Sequence, residues 1–189
     1  NKMDLVKCYF KLFQDYAYYS ANNSIECNSK ENIYLNNSNI HGIGLFAKKD
    51  IKPNEIITIY PAHIIHITKS LNPLKIHKMR CIIDLKESSN WKDYAIKYDN
   101  NVSIYGHPSI KDDENLLGHL CNDGYKHDYK INNKKNRNKY NNKTKELNNC
   151  KFSKLQDTPY IAIISTKKIN KDEEILVSYG FEYWLKRNN

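Results

Sequence analysis

A mainly β domain with short helices, an α+β architecture, is what this sequence predicts, and three observations predict it. From Asn32 onward β-branched runs such as Ile33-Tyr-Leu, Ile56-Ile-Thr-Ile-Tyr and Val102-Ser-Ile-Tyr recur at short intervals, divided by Asn, Gly, Pro and Lys. The stretch Tyr160 to Gly180 reads as two strands joined by a charged turn. Only one long segment, Met3 to Tyr19, carries apolar residues at the helical period.

In that segment Leu5, Tyr9, Leu12 and Tyr16 fall on one rib and Val6, Phe10, Phe13 and Ala17 on the next, which predicts an amphipathic helix. It either packs on the main domain or binds a partner. The polar residues Asn22 to Glu31 mark a boundary, so residues 1–31 form an N-terminal helical segment and 32–189 the main domain. Within the latter, Leu45-Phe-Ala, Ile64-Ile-His-Ile and Cys81-Ile-Ile are further strand candidates, and Thr68 to Met79, interrupted by Pro73, has room for a short helix. The β-branched run Ile161 to Ile164 predicts a buried strand, Asn170 to Glu173 a turn, and Glu174 to Tyr179 a second strand stopped by Gly180. The ending Phe181 to Lys186 is short, aromatic and helical in character.

At 189 residues the chain fits one domain with an appendage. No apolar run reaches the roughly 20 residues that cross a bilayer, so no membrane span is expected. Asn1 begins no leader-like segment, and the sequence reads as part of something longer. The five cysteines, odd in number, widely spaced and without a C-x-x-C pair, point to reduced intracellular thiols rather than disulfides or a zinc site. The net charge of +9 is unevenly spread: Tyr125 to Asn148 holds eight Lys/Arg and two acids, +6 of the total. With little apolar content to offset its ordering entropy, this segment predicts a mobile surface loop. It is either a phosphate-contacting arm or an insertion with no selected role.

Three motifs carry chemical potential. His41-Gly42-Ile43-Gly44-Leu-Phe-Ala, with Ser38 before it, either lets the backbone approach a ligand or makes a tight turn. No helix-forming stretch follows, which argues against a dinucleotide fingerprint. Gly118-His-Leu-Cys-Asn122-Asp123-Gly offers polar groups to a ligand or caps a turn. The third is Glu174 to Tyr179.

In order and spacing these motifs resemble the SET-domain protein lysine methyltransferases, over about Asn32 to Trp184. Ser38 to Ala47 matches the family's G-x-G-[LV]-F-A block. His119 to Gly124 matches R-F-I-N-H-S, with Asp123 and Gly124 where His and Ser are usual. Asn149-Cys150, Ile161 to Ser165 and Lys168 to Tyr179 match P-N-C, strand, R-D-I-x-x-G-E-E-L-x-x-D-Y. The resemblance implies a β-clip of small curved sheets in which the Asn122 and Tyr179 segments form a C-terminal pseudoknot. It also implies that His41, Gly42, Ile43, Gly44, Tyr94, Asn122 and Asp123 hold S-adenosyl-L-methionine, that Trp184 covers the adenine, and that Tyr179 is catalytic. Val177, Phe181 and Tyr183 would line the lysine channel, since no zinc-bound module follows Tyr179.

The implied partner is a histone tail or another lysine-bearing protein, with a nucleosomal DNA contact through residues 125–148, a monomeric state and a nuclear setting, cytoplasm being the alternative. The competing reading, prompted by Asp123 and Gly124, is a SET-like binding module with weak or no catalysis. A plain nucleic-acid-binding domain rests on the insertion alone.

Overall fold

A computed structural model describes residues 27, 29–67, 74–75, 91–100, 102–111, 114–156, 158 and 160–188. The expected helix at Met3 to Tyr19 and the strand at Cys81 lie outside them. A short helix α1 (Ser29–Asn32) leads into β1 (Ile33–Asn37), β2 (Ile43–Ala47), β3 (Ile56–Ile59), β4 (Ile64–Ile67) and β5 (Leu74–Lys75). Then come β6 (Ala95–Lys97), β7 (Val102–Tyr105), helix α2 (Lys134–Leu147), β8 (Cys150–Lys154), β9 (Ile161–Ser165) and helix α3 (Phe181–Arg187). Leu74–Lys75 is a strand antiparallel to β4, and the other residues of Thr68 to Met79, where a short helix is expected, lie outside the described residues.

The chain forms two compact units, each discontinuous in sequence. The first takes in Thr58–His119 and Lys154–Ala162. It contains a four-stranded sheet in the order β5-β4-β7-β6, with all neighbours antiparallel. Val102 and Ile104 alternate inward from β7 and are buried, the period-2 pattern that their sequence predicts.

The second unit takes in Ser29–Ile57, Leu120–Ser153 and Ile163–Asn189. Its hairpin pairs β1 with β2 from Ile33↔Ala47 to Asn37↔Ile43. Leu45, Ala47, Ile51, Ile57, Ile163, Ile169 and Ile175 are fully buried there. A further sheet has the order β3-β9-β8.

The predicted partnership inside Tyr160 to Gly180 needs correction. β9 pairs with β3 and β8 instead of folding back on Glu174 to Tyr179. The latter stretch forms only isolated bridges, antiparallel at Phe46↔Glu174 and parallel at Asn122↔Leu176. Its main chain is shared among three segments: the Ile175 N–H donates to the Leu45 carbonyl at 2.8 Å, the Leu176 carbonyl accepts from the Cys150 N–H at 2.9 Å, and the Val177 N–H donates to the Asn122 carbonyl at 2.9 Å. The Asn149 side chain fills in between, its Oδ1 accepting from the Leu176 N–H and its Nδ2 donating to the Glu174 carbonyl, both at 2.8 Å. The expected turn before it is present, with Asp172 in the left-handed region (φ 66°), where a short polar side chain is tolerated.

The basic segment, residues 125–148, also departs from expectation. Instead of a mobile loop it contains the 14-residue helix α2. Asn133 caps its start by accepting from the Asn136 N–H at 2.8 Å. The apolar residues of this segment do not supply the anchoring, since Ile131 is 66% exposed and Leu147 43% exposed. Tyr140 and Thr144, one turn apart, are the buried face. Burial of one large aromatic and good capping offset an ordering cost that composition alone leaves uncovered.

Candidate active site

The second unit brings together all the predicted site residues except Tyr94, which belongs to the first. There Tyr94 accepts a hydrogen bond on its carbonyl from the Tyr60 hydroxyl at 2.5 Å, and its ring lies 6.4 Å from that of His119.

The turn between β1 and β2 forms one side of the site. Ser38 N–H donates to the Gly42 carbonyl at 2.8 Å, and the Ser38 hydroxyl oxygen accepts from the N–H groups of Ile40 and His41. Gly42 has φ 53°, and an added Cβ there would meet nothing within 4 Å. Main chain at this exposed turn is therefore open to approach, as a ligand bound through backbone groups requires. Gly44 is the opposite case, since an added Cβ would stand 2.2 Å from Glu174 Oε1.

Asn122 ties this turn to the C-terminal segment. Its side-chain nitrogen donates to the His41 carbonyl at 3.1 Å and to Glu174 Oε1 at 2.9 Å, and lies 3.4 Å from the Ile43 carbonyl. Its own carbonyl accepts from the Val177 N–H at 2.9 Å. Glu174 completes the link by accepting from the Ser38 hydroxyl at 3.0 Å. Val177 is fully buried, packed where the two segments run side by side.

The Tyr179 hydroxyl donates to the Cys121 carbonyl at 2.7 Å. Burial raises the Cys121 thiol well above its ordinary pKa, so that side chain stays neutral. Tyr183 meets the Tyr179 ring edge-on at 4.8 Å, and Trp184 stacks on it at 5.8 Å. The phenol is thus held at both its hydroxyl and its ring.

Asp123, next to Asn122, is the hub of a second hydrogen-bonded cluster. One carboxylate oxygen accepts from the Tyr140 hydroxyl (2.7 Å), the Tyr179 N–H (2.9 Å) and the Trp184 indole N–H (2.9 Å). The other accepts from the Tyr125 N–H (3.1 Å) and the Asn148 side-chain amide (3.2 Å). The charge of a buried carboxylate is compensated by such a set of donors. Gly124 fits the same arrangement: its N–H donates to Asn148 Oδ1 at 2.8 Å, and an added Cβ would stand 2.5 Å from that oxygen.

Helix α3 seals the cluster. Phe181 stacks on His127 at 4.7 Å, and His127 Nδ1 accepts from the Tyr129 N–H at 3.1 Å. That places the imidazole proton on Nε2, which donates to the Phe181 carbonyl at 3.2 Å. Arg137 of α2 pairs with Glu182 at 2.5 Å. Tyr140, Phe181 and Trp184 form a buried aromatic core with Tyr125, Tyr129, Tyr179 and Tyr183 around it.

Glu174, Asn148 and Tyr140 join the cluster without having been marked as site residues by the sequence. Glu174 lies inside the third motif, where its acidity is compatible with a surface turn. Asn148 and Tyr140 sit in an Asn- and Lys-rich stretch, and the only local signal is the i,i+4 spacing of Tyr140 and Thr144. Among the described residues no group of three or more His, Cys, Asp or Glu could hold a metal ion, and no helix is long and apolar enough to cross a membrane.

Comparison with known proteins bears on the same residues. No curated protein matches the chain. Among solved structures, a Plasmodium falciparum protein described as a "putative histone methyltransferase" is similar at 22% identity and a TM-score of 0.43, covering 82% of this chain and 97% of that one. The SET domain family model matches residues 42–180, a span that runs from the Gly42 turn through Asn122 to Tyr179 and Gly180. The chain therefore belongs to the SET domain family.

Proposed function

We propose that this protein is an S-adenosyl-L-methionine-dependent protein-lysine N-methyltransferase with Tyr179 as its catalytic residue. The observation that carries the reading is the continuity from Tyr179 to Cys121, and from the adjacent Asn122 to His41, which joins a fixed phenol to an open glycine turn in one hydrogen-bonded unit. The exposed turn at His41, Gly42 and Ile43, with Asn122 behind it, fits a cofactor held largely by main chain. That cofactor would supply an electrophilic methyl group on a sulfonium centre.

The residues then have distinct tasks. A free lysine has a pKa near 10.4, and deprotonating it near pH 7 costs about 4 kcal/mol. An apolar channel bordered by Val177, Phe181 and Tyr183 would disfavour the ammonium, so the amine enters neutral without a dedicated carboxylate base. Tyr179, its proton given to the Cys121 carbonyl, presents its oxygen as an acceptor that orients the amine and the methyl hydrogens. Trp184, anchored on Asp123, holds the ring of Tyr179 and would cover the adenine of the cofactor.

For substrate we favour a histone or another lysine-bearing protein in the nucleus. Lys134, Lys135 and Lys145 are exposed on α2 and offer a contact to nucleosomal DNA. Neutralising these three to Gln should lower methylation of nucleosomes, with a shallower salt dependence, more than methylation of a histone peptide; equal losses would exclude the DNA contact. The function itself is tested by calorimetry with the cofactor and product mass on a panel of histones and lysate proteins. Tyr179→Phe should retain cofactor binding and lose product. Cofactor binding by the unaltered protein without any methylated product would favour a binding module instead.

A further inference from the structure

The exposed side of α2 is basic, but its buried side reaches the residues on either side of Tyr179. The Tyr140 hydroxyl donates to Asp123 Oδ2 at 2.7 Å. With its one proton so used, its oxygen accepts from the Ser178 hydroxyl at 2.8 Å and the Gly180 N–H at 3.0 Å. Asp123 Oδ2 in turn accepts from the intervening Tyr179 N–H at 2.9 Å. Three consecutive residues, Ser178, Tyr179 and Gly180, are thus gripped by one phenol–carboxylate pair. Gly180 leaves the extended path here with φ 92°, so the hydroxyl of Tyr140 satisfies a main-chain donor where regular pairing ends.

We propose that Tyr140 is a positioning residue for methyl transfer: with Asp123 it fixes the main chain of Ser178 to Gly180 and thereby aims the Tyr179 hydroxyl, which makes the insertion helix a working part of the active site. This rests on the methyltransferase reading of Tyr179. Packing alone does not account for Tyr140, because phenylalanine would bury the same ring against His127 and Phe181, at 5.1 and 6.0 Å between ring centres. The hydroxyl instead uses its donor and both acceptor sites on Asp123 and the two neighbours of Tyr179. Burial and the Asp123 charge raise its pKa, so it remains a neutral donor at any working pH. The same pair also accounts for the acid at 123: Asp123 accepts from Tyr140, Tyr179 and Trp184 together, whereas a neutral imidazole has a single acceptor nitrogen.

The test uses the whole chain with tyrosine labelled at 13Cζ, the Tyr179 resonance being assigned by its absence from Tyr179→Phe. Tyr140→Phe should lower kcat on a lysine peptide about 10- to 100-fold. The cofactor Kd and the peptide KM should stay within about threefold of wild type, and the Tyr179 resonance should move. A kcat within about twofold of wild type overturns the proposal. So does an unmoved Tyr179 resonance, or a loss that appears equally in Kd and KM. Ser178→Ala, which deletes one of the two donors to Tyr140, gives a second reading: a moved Tyr179 resonance and a kcat loss of about 3- to 10-fold are expected, and their absence overturns the proposal even where Tyr140→Phe does not fold. If the wild type methylates nothing, the methyltransferase reading fails by itself, while the Tyr179 resonance in both variants still decides whether Tyr140 sets that ring.

Discussion

Asn122 and Glu174 meet through a 2.9 Å hydrogen bond, and the other oxygen of the same carboxylate takes the Ser38 hydroxyl at 3.0 Å. One acidic side chain thus holds the glycine turn, the Asn122 segment and the C-terminal segment in register. Glu174→Gln keeps the shape but turns an NH2 toward one of these donors. A destabilisation of about 1–3 kcal/mol is expected in chemical denaturation, because a donor is left facing a donor. An unchanged midpoint would show that the carboxylate is dispensable.

Gly44→Ala attacks the same joint from the other side. Its Cβ would stand 2.2 Å from Glu174 Oε1, so the carboxylate must swing away and release Asn122. Cofactor affinity should fall about tenfold or more as the His41 to Gly44 turn loses its anchor. Calorimetry on the variant checks this, and wild-type affinity would contradict it.

Asp123→Ala removes the common acceptor of Tyr140, Tyr179 and Trp184. Leaving three donors unpaired should cost about 3 kcal/mol or more, read as a lower urea midpoint at constant slope. A loss below about 1 kcal/mol would mean that water replaces the carboxylate at this site.

Acid stability should report on His119 in the first unit. Its ring is buried against those of His63 and Tyr94, and both ring nitrogens lack a hydrogen-bond partner among the described residues. Burial, with a smaller repulsion from His63, lowers its pKa from 6.5 to about 3, against a weak opposing effect of the His107 and Ile110 backbone. The unfolded chain then takes up the proton first, so stability is lost as pH falls from 6.5 to about 3. His119→Phe should flatten the pH dependence in that window by up to about 4 kcal/mol and change nothing above neutrality. Parallel curves for the two proteins would refute this.

The N-cap of α2 offers a milder perturbation. Asn133→Ala should destabilise the helix by about 1 kcal/mol, seen as faster amide exchange in its first turns. Unaltered exchange would show that Tyr140 alone anchors the helix.

Much of this fold is legible from local chemistry. The β-branched runs become β1, β3, β4, β7 and β9 because alternating or continuous apolar residues have few other ways to be buried. Glu174 to Tyr179 looks like another strand, yet its main chain is divided among Leu45, Cys150 and Asn122 with the Asn149 side chain between them, and periodicity carries no record of partners drawn from so many segments. The glycine turn, Asn122 and Tyr179 are visible as motifs because each depends on a residue type with few substitutes. Tyr140 is not, since a single tyrosine among asparagines and lysines gains its meaning from Asp123, which precedes it by 17 positions.

The contact of Gly124 with Asn148 has a consequence for anyone recombining such domains. Gly124 leaves room for Asn148, and Asn148 with Tyr140 occupies the acid that precedes Gly124, so the Asp-Gly pair and the inserted helix are a lock and its key. They are expected to travel together. A chimaera given helix α2 but His-Ser at positions 123 and 124 should melt below one that receives both parts, and trimming residues 125–148 to obtain a smaller domain would discard half of the lock.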